Sequence, residues 1–234
     1  MIKKKIKHFF RTERAKFREM TFTEKRQYIW EYYKLQIFAA ALLIFLIGYL
    51  INHIFINPPK TDYLYIAWVG EQTAPSILTD IGESLSIIVN NPYRESVSVH
   101  SYAFTDNPQI DSMTQQRFFA MLQVGSIDLF LTPHQGVIEL AESELSRPMN
   151  EVMQYVATIN PELYRQVTEQ LAIITFELDG YTYTEAMAVS LANTPFFEYL
   201  NINANDIYLA VVINTQNFDR IAKALEAIFQ WNPQ

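Results

Sequence analysis

The segment "SIDLFLTPHQGVIELAES", residues 126–143, decides the fold class because it joins two kinds of secondary structure. Its first part is an apolar run, from Ile127 to Leu131, with the length of a buried strand. A polar turn over 132–136 follows, and then a short helical pattern begins. A strand that leads through a tight turn into a helix is typical of α/β proteins, so this segment predicts a sheet covered by helices.

Strand and helix patterns also alternate upstream of this segment. Runs at 63–69 and 95–104 predict two further strands. Helical spacing of apolar residues predicts one helix over 74–90 and another over 112–125, with Asp111 as the N-cap of the second and Met113 on its inward face. Because strands and helices alternate, the sequence predicts a mostly parallel sheet.

The pattern changes downstream. Residues 173–191, "IITFELDGYTYTEAMAVSL", predict a β-hairpin because Asp179-Gly180 suits a type I′ turn. Asn160-Pro161 predicts a helix start, and residues 206–215 predict another buried strand before an amphipathic helix. We therefore predict a three-layer α/β domain with a mostly parallel sheet and a hairpin at 173–191.

A membrane span is predicted over 35–56, "LQIFAAALLIFLIGYLINHIFI". Between Ile37 and Ile51 the Tyr49 hydroxyl is the only polar side-chain group, and a helix of this length crosses a hydrocarbon core of ~30 Å. A buried core helix would need a polar face or a shorter length. A cleaved signal peptide would need a short basic start and a small-residue cleavage site, so a permanent span is the favoured interpretation.

The charges are divided unevenly along the chain. The first 34 residues hold eleven of the 18 Lys and Arg but only four of the 25 acidic residues. By the positive-inside rule, the N-terminus lies in the cytoplasm and the acidic C-terminal part lies outside the cell membrane. This arrangement predicts a basic cytoplasmic tail with a juxtamembrane helix (1–34), a transmembrane helix (35–56), a linker (57–62) and an extracytoplasmic α/β domain (63–234).

Two sets of residues are predicted to contact the lipid bilayer. Thr21 and Glu24 have the spacing of a capping box, which predicts a helix from Phe22 into the span. Aromatic residues near its start suit a membrane interface, and basic residues of the tail suit an anionic leaflet, although these charges could also serve only to fix the topology. The interface residues are Tyr28, Trp30, Tyr32 and Tyr33, and the predicted anionic-lipid contacts are Lys3, Lys4, Lys5, Lys7 and Arg11.

The sequence lacks the common patterns of catalysis and metal binding. The absence of cysteine excludes disulfides, thiol nucleophiles and thiolate metal sites. There is no HExxH, G-x-S-x-G or P-loop motif, and His100 is interpreted as a satisfied or solvent-facing strand residue. The acidic domain has no basic surface for nucleic acid. We therefore predict a non-catalytic protein without a metal or cofactor.

The layout resembles that of short membrane-anchored proteins of Gram-positive bacteria, through the juxtamembrane segment Trp30-Glu31-Tyr32-Tyr33-Lys34. The outer domain resembles a reduced, single-lobe relative of the type 2 extracellular solute-binding proteins. This second resemblance rests on residues 125–131 and "VIELAES", on Arg147-Pro148-Met149, and on residues 206–229. It implies a module that binds a small solute or peptide.

The turn after the strand at 127–131 supplies the candidate ligand contacts. Ligands of open α/β sheets bind beyond the carboxyl ends of strands, where Thr132, His134, Gln135 and Glu71 are expected. Alternatively, Pro133 and Gly136 simply end the strand, and the polar side chains cap the next helix. Two functions follow: a membrane-anchored binding or docking module, or a structural subunit of a membrane or cell-envelope complex with a protein partner and no small-molecule ligand.

Overall fold

The computed structural model divides into two compact units, Met1–Pro59 and Lys60–Gln234. Each unit is described by itself. The structure describes residues 18, 20–56, 58–70, 73–103 and 108–232.

The first unit contains one long helix, α1 (Phe22–Ile51), which continues into a π-helical turn (Asn52–Ile56). The backbone N–H and the hydroxyl of Thr21 both donate to Glu24 Oε2, at 2.8 and 2.9 Å. The first of these bonds is one half of the capping box that the helix start shows. The predicted helix start at Phe22 and its unbroken continuation into the apolar segment are confirmed.

No side chain of α1 is buried within the chain. Phe45 and Phe55 are 73% and 77% exposed, which water would disfavour strongly. The helix from Phe22 to Ile56 is long and apolar enough to cross a membrane, and is compatible with a single transmembrane helix or a signal anchor.

Aromatic rings lie at both ends of this long helix. The Tyr28 ring centroid lies 4.7 Å from that of Tyr32, and Tyr49 stacks on His53 at 5.9 Å. Tyr33 also contacts the Tyr28 ring, and Trp30 is exposed. Their position at a membrane interface stays a prediction. The predicted lipid contacts Lys3, Lys4, Lys5, Lys7 and Arg11 lie outside the described residues.

The second unit is built on one mixed sheet. Its strands are β1 (Thr61–Gly70), β2 (Glu95–Ala103), β3 (Leu129–Thr132), β4 (Ser146–Arg147), β5 (Leu171–Leu178), β6 (Tyr181–Ser190) and β7 (Tyr208–Val212). They lie in the order β2-β1-β3-β7-β6-β5, and the short strand β4 also pairs with β7. Pairing of β1 with β2 and with β3 is parallel, whereas β7 pairs antiparallel with β3 and β6, and β6 pairs antiparallel with β5.

The predicted α/β fold is confirmed, and its sheet is mixed: among the described strands, parallel pairing joins β1 to β2 and to β3, and the other pairs are antiparallel. The hairpin accounts for the antiparallel pairing of β5 with β6, because two strands joined by a two-residue turn must run antiparallel. Asp179 and Gly180 both have positive φ, 51° and 80°, as a type I′ turn requires.

Helices cover both faces of the sheet and give the domain three layers. They are α2 (Pro75–Leu85), α3 (Pro108–Gln123), α4 (His134–Glu142), α5 (Asn150–Ile159), α6 (Pro161–Glu169), α7 (Pro195–Tyr199) and α8 (Phe218–Phe229), with a 3-10 turn over Ser86–Ile88. Two buried clusters lie on opposite faces, one including Ile66 and Leu131 and the other including Phe130 and Val212. Residues of α2, α5, α6, α7 and α8 join the first cluster, and residues of α3 and α4 join the second.

The cap of α6 is confirmed, whereas that of α3 was predicted wrongly. Asn160 Oδ1 accepts the Leu163 N–H at 3.1 Å, as a helix N-cap does. Helix α3 begins at Pro108, so Asp111 lies in its first turn instead of capping it. Met113 is 73% exposed because five helical residues turn it about 140° away from Phe118, which faces the sheet.

Candidate functional site

The turn that was predicted to bind a ligand begins with a buried residue. Thr132 ends β3 and is only 1% exposed. A Cβ atom on Gly136 would lie 2.0 Å from Thr132 Oγ1, so the threonine side chain fills the space beside this glycine. Thr132 Oγ1 is buried without a hydrogen-bond partner among the described atoms. Thr132 is therefore packed inside the domain, and its role as a ligand contact stays a prediction.

Neighbouring residues close the carboxyl end of β3. Gly70 ends β1 with a φ of +128°, and its Cβ position lies 3.0 Å from Pro133 Cδ. The His134 N–H donates to Asp206 Oδ1 at 3.3 Å, and its ring meets Tyr208 edge-on at 5.5 Å. This packing supports the alternative interpretation, in which the turn ends the strand and starts α4.

Two of the predicted ligand contacts remain on the surface. His134 and Gln135 are exposed in the first turn of α4, and Gln135 Nε2 donates to Glu139 Oε1 at 3.4 Å. Glu71 lies outside the described residues. The structure thus brings Thr132, His134 and Gln135 together in one turn, and the two exposed side chains stay predictions as ligand contacts.

The opposite end of β3 carries a buried carboxylate, Asp128, which is 4% exposed. Its Oδ2 accepts the Tyr65 N–H at 3.1 Å. Its Oδ1 accepts the Thr215 hydroxyl at 2.7 Å and the Asn217 amide at 2.8 Å. The carboxylate therefore joins β1, β3 and the segment before α8. An aspartate within an apolar run signals such a buried network, because buried polar groups need partners.

A second polar cluster is formed by residues of β1, of the edge strand β2 and of helix α3. We call it the edge cluster, and its members are Tyr65, His100, Tyr102 and Arg117. The hydroxyls of Tyr65 and Tyr102 lie 2.7 Å apart, and these residues are 2% and 1% exposed. His100 stacks on Tyr65 with ring centroids 4.9 Å apart. The guanidinium carbon of Arg117, on α3, lies 5.8 Å from the Tyr102 ring centroid.

The strand period explains why the sequence forms the edge cluster. Residues two apart on a strand share a face, so His100 and Tyr102 project to the same side of β2. On β1, Tyr65 belongs to the same buried cluster as Tyr102. Helix α3 packs over this face through Phe118, whose ring centroid lies 5.1 Å from that of Tyr102. Arg117 precedes Phe118, and its guanidinium lies over the same Tyr102 ring.

The surroundings keep Tyr65 and His100 uncharged near neutral pH. Burial raises the pKa of the Tyr65 hydroxyl, the Tyr102 hydroxyl adds to this rise, and the Arg117 charge opposes it. Burial also lowers the pKa of His100, and Arg117 lowers it further, whereas Asp62 opposes this shift. Asp62 in turn accepts a hydrogen bond from the Ser98 hydroxyl. Arg117 therefore carries the positive charge of this cluster.

A groove of about 480 Å³ runs beside the outer edge of β2 and includes His100 in its lining. It lies against α2, where a Cβ atom on Gly82 would come within 2.8 Å of the Val97 carbonyl oxygen. The Val97 N–H donates to Ser86 Oγ at 3.0 Å, so the 3-10 turn that follows α2 already covers the start of this strand edge. Across the residues that the structure describes, no group of three or more His, Cys, Asp or Glu side chains could hold a metal ion.

Comparisons with protein families, with curated proteins and with solved structures find no match to this chain. The resemblance to solute-binding proteins therefore stays a prediction, and the functional proposals below rest on the sequence and on the contacts described above.

Proposed function

We propose that this chain is a single-pass membrane protein whose C-terminal α/β domain is a non-catalytic binding or docking module outside the cell. One observation carries the proposal: the chain joins a long apolar helix with no buried side chain to a separate compact unit with its own core. A helix with that surface needs an apolar solvent, and the bilayer provides one. The folded unit needs no further contact to bury its own apolar residues.

The proposed orientation rests on the basic N-terminal segment. Lys25, Arg26 and Lys34 lie in the first part of α1, before the apolar stretch, and Lys60 is the nearest basic residue after it. Positive charge concentrated on one flank favours a cytoplasmic position for that flank.

The edge cluster supports a binding role, because Arg117 lacks a carboxylate partner among the described residues and lies next to paired tyrosine hydroxyls. A second candidate function is a structural subunit that docks another membrane or envelope protein. The closed carboxyl end of β3 favours this second function, since Pro133 packs on Gly70 where a solute would otherwise enter.

The absence of cysteine from the sequence permits a direct test of topology. We expect a Thr182→Cys variant, exposed in the hairpin, to react with a membrane-impermeant maleimide on intact cells. A Thr23→Cys variant, exposed near the start of α1, serves as the matched control and should react only after lysis. The chain should also stay in the membrane fraction at alkaline pH. The reverse labelling pattern, or release at alkaline pH, would contradict the proposal.

A further inference from the structure

A pocket of about 180 Å³ opens between helices α3 and α4, over the face of the sheet that carries the second buried cluster. We call it the helix pocket. Its apolar lining consists of Val69, Phe118, Phe119, Leu140 and Leu145. Val69 comes from β1, the phenylalanines come from α3 and Leu140 comes from α4. The helix pocket is therefore lined by apolar groups of three different elements.

The residue spacing on α4 explains why the two helices leave this space. Gly136, Leu140 and Ser143 follow one another at intervals of four and three residues, so they lie along one side of the helix. Gly136 and Ser143 also line the pocket, and neither carries a side chain large enough to fill it. The space thus follows from two small residues on the side of α4 that faces α3.

Phe119 leaves part of its apolar surface in water at this pocket. Its exposed fraction is 50%, whereas the adjacent Phe118 is 4% exposed and belongs to the buried cluster. Covering the exposed part of such a ring removes apolar surface from water, which is favourable. A ligand with an apolar body therefore gains binding free energy when it enters the helix pocket beside Phe119.

The carboxylate of Glu139 lines the same pocket. Glu139 is exposed on α4, and the Gln135 amide donates to its Oε1 at 3.4 Å. This distance is long for a hydrogen bond, so a charged donor in the pocket can replace the amide at little cost. Gln135, one of the predicted ligand contacts, is in this way connected to the helix pocket through Glu139.

We infer that the helix pocket binds a small organic amine, with its apolar ring against Phe119 and its ammonium group donating to the Glu139 carboxylate. This inference rests on the proposed binding function and names the ligand chemistry for it. The size of the pocket limits the ligand to one ring with a short substituent, because an apolar cavity of about 150 Å³ holds benzene and the helix pocket measures about 180 Å³.

The charge of the domain favours a cation over an anion at this pocket. The chain after residue 34 contains 21 of the 25 acidic residues but only seven of the 18 Lys and Arg. An acidic domain raises the local concentration of cations around it. A carboxylate ligand would meet Glu139 as a like charge, and a neutral ring would fill the pocket without forming the ion pair. The pocket and its charge together therefore select an amine.

The test uses the full chain in nanodiscs of zwitterionic lipid, with benzylamine as the probe and benzyl alcohol as its uncharged match. At neutral pH and constant ionic strength, we expect benzylamine to raise the unfolding temperature with increasing concentration, and benzyl alcohol to bind more weakly. Glu139→Gln should weaken benzylamine binding by about fivefold, because it removes the charge that strengthens the bond, and should leave benzyl alcohol binding unchanged.

Glu83→Gln is the matched control for the charge. Glu83 is exposed on α2, which packs on the opposite face of the sheet, and its replacement changes the net charge of the domain by the same amount. This variant should bind benzylamine like the unchanged chain. Because all variants are compared in the same lipid, any effect of the probes on the bilayer is common to them.

A second variant tests whether binding takes place in the helix pocket itself. Ser143→Leu adds an apolar side chain to the lining and should weaken the binding of both probes. No shift with benzylamine, equal binding of benzylamine and benzyl alcohol, or unchanged benzylamine binding by Glu139→Gln or by Ser143→Leu would each overturn the inference. None of these outcomes changes the cysteine labelling pattern, which tests the membrane arrangement separately.

Discussion

Two polar clusters in the same α/β domain differ in how completely their groups are paired. The Asp128 carboxylate is buried and accepts three hydrogen bonds from the chain, from Tyr65, Thr215 and Asn217. In the edge cluster, the Tyr65 and Tyr102 hydroxyls bond to each other, and the exposed Arg117 lies beside them without a carboxylate partner among the described residues. The Asp128 network is therefore closed within the fold, whereas the edge cluster presents a charge at the surface.

The largest expected effect is that of Asp128→Ala on stability. This change leaves three donors without their acceptor, two of them in the buried residues Tyr65 and Thr215, and should lower the free energy of unfolding of the domain by about 4 kcal/mol. Chemical denaturation of the full chain in nanodiscs measures this loss. Glu142→Ala, which changes an exposed acidic residue of α4, is the control and should have little effect. Similar stability for the two variants would mean that the Asp128 network does not stabilise the fold.

A smaller loss is expected from Gly136→Ala, because the added Cβ collides with the stiff, β-branched Thr132 side chain. We expect a loss of about 2 kcal/mol. The double variant Thr132→Ala/Gly136→Ala should recover part of it, since the threonine side chain no longer fills the space. Additive losses in this double-mutant cycle, measured by chemical denaturation, would contradict the packing described for the turn.

Removing the hydroxyls of the Tyr65–Tyr102 pair should lower the stability of the domain by a smaller amount, and the losses of the two single variants should not add. Either Tyr65→Phe or Tyr102→Phe leaves one hydroxyl without its partner and should cost about 1 kcal/mol. Replacing both residues removes both polar groups, so the double variant should be less destabilised than the sum of the single variants. If the two losses simply add, the hydroxyl pair is not coupled, and the contrast with the Asp128 network disappears.

The smallest expected effect is a pH dependence of stability due to His100. Because the pKa of His100 is lowered in the folded domain, the unfolded chain takes up this proton first as the pH falls. Stability is therefore unaffected above the ordinary pKa of histidine and declines as the pH falls from there toward the folded value. His100→Gln should flatten this part of a stability-against-pH curve. Arg117→Gln should make the pH dependence smaller, because Arg117 adds to the effect of burial in lowering the pKa of His100. An unchanged curve for both variants would contradict the assignment to His100.

Local patterns predicted much of the fold because their causes are local. The type I′ turn needs only Asp179-Gly180, and the start of α6 needs only Asn160-Pro161. The position of β7 was beyond such patterns, since its antiparallel place between β3 and β6 depends on packing between distant parts of the chain. The burial of Thr132 was also beyond local patterns, because burial is a property of the tertiary structure.

The two polar clusters also lay beyond sequence reasoning. Asp128 was part of a quoted motif, but its partners come from positions 65, 215 and 217, which no spacing rule connects. His100 was interpreted as an ordinary strand residue. Its contact with Tyr65 depends on the register of β1 against β2, and Arg117 reaches the cluster from a helix whose start was misplaced.

The unbroken helix from Phe22 to Ile56 fixes a rotational phase between its two ring pairs, Tyr28–Tyr32 and Tyr49–His53. One residue inserted between the pairs would turn one against the other by about 100°, whereas seven residues would restore their alignment to within about 20°. The long insertion would therefore keep the angle between the two ring pairs better than the short one, while moving them apart by about 10 Å along the helix. Spacing along the sequence thus sets the direction in which each ring pair faces.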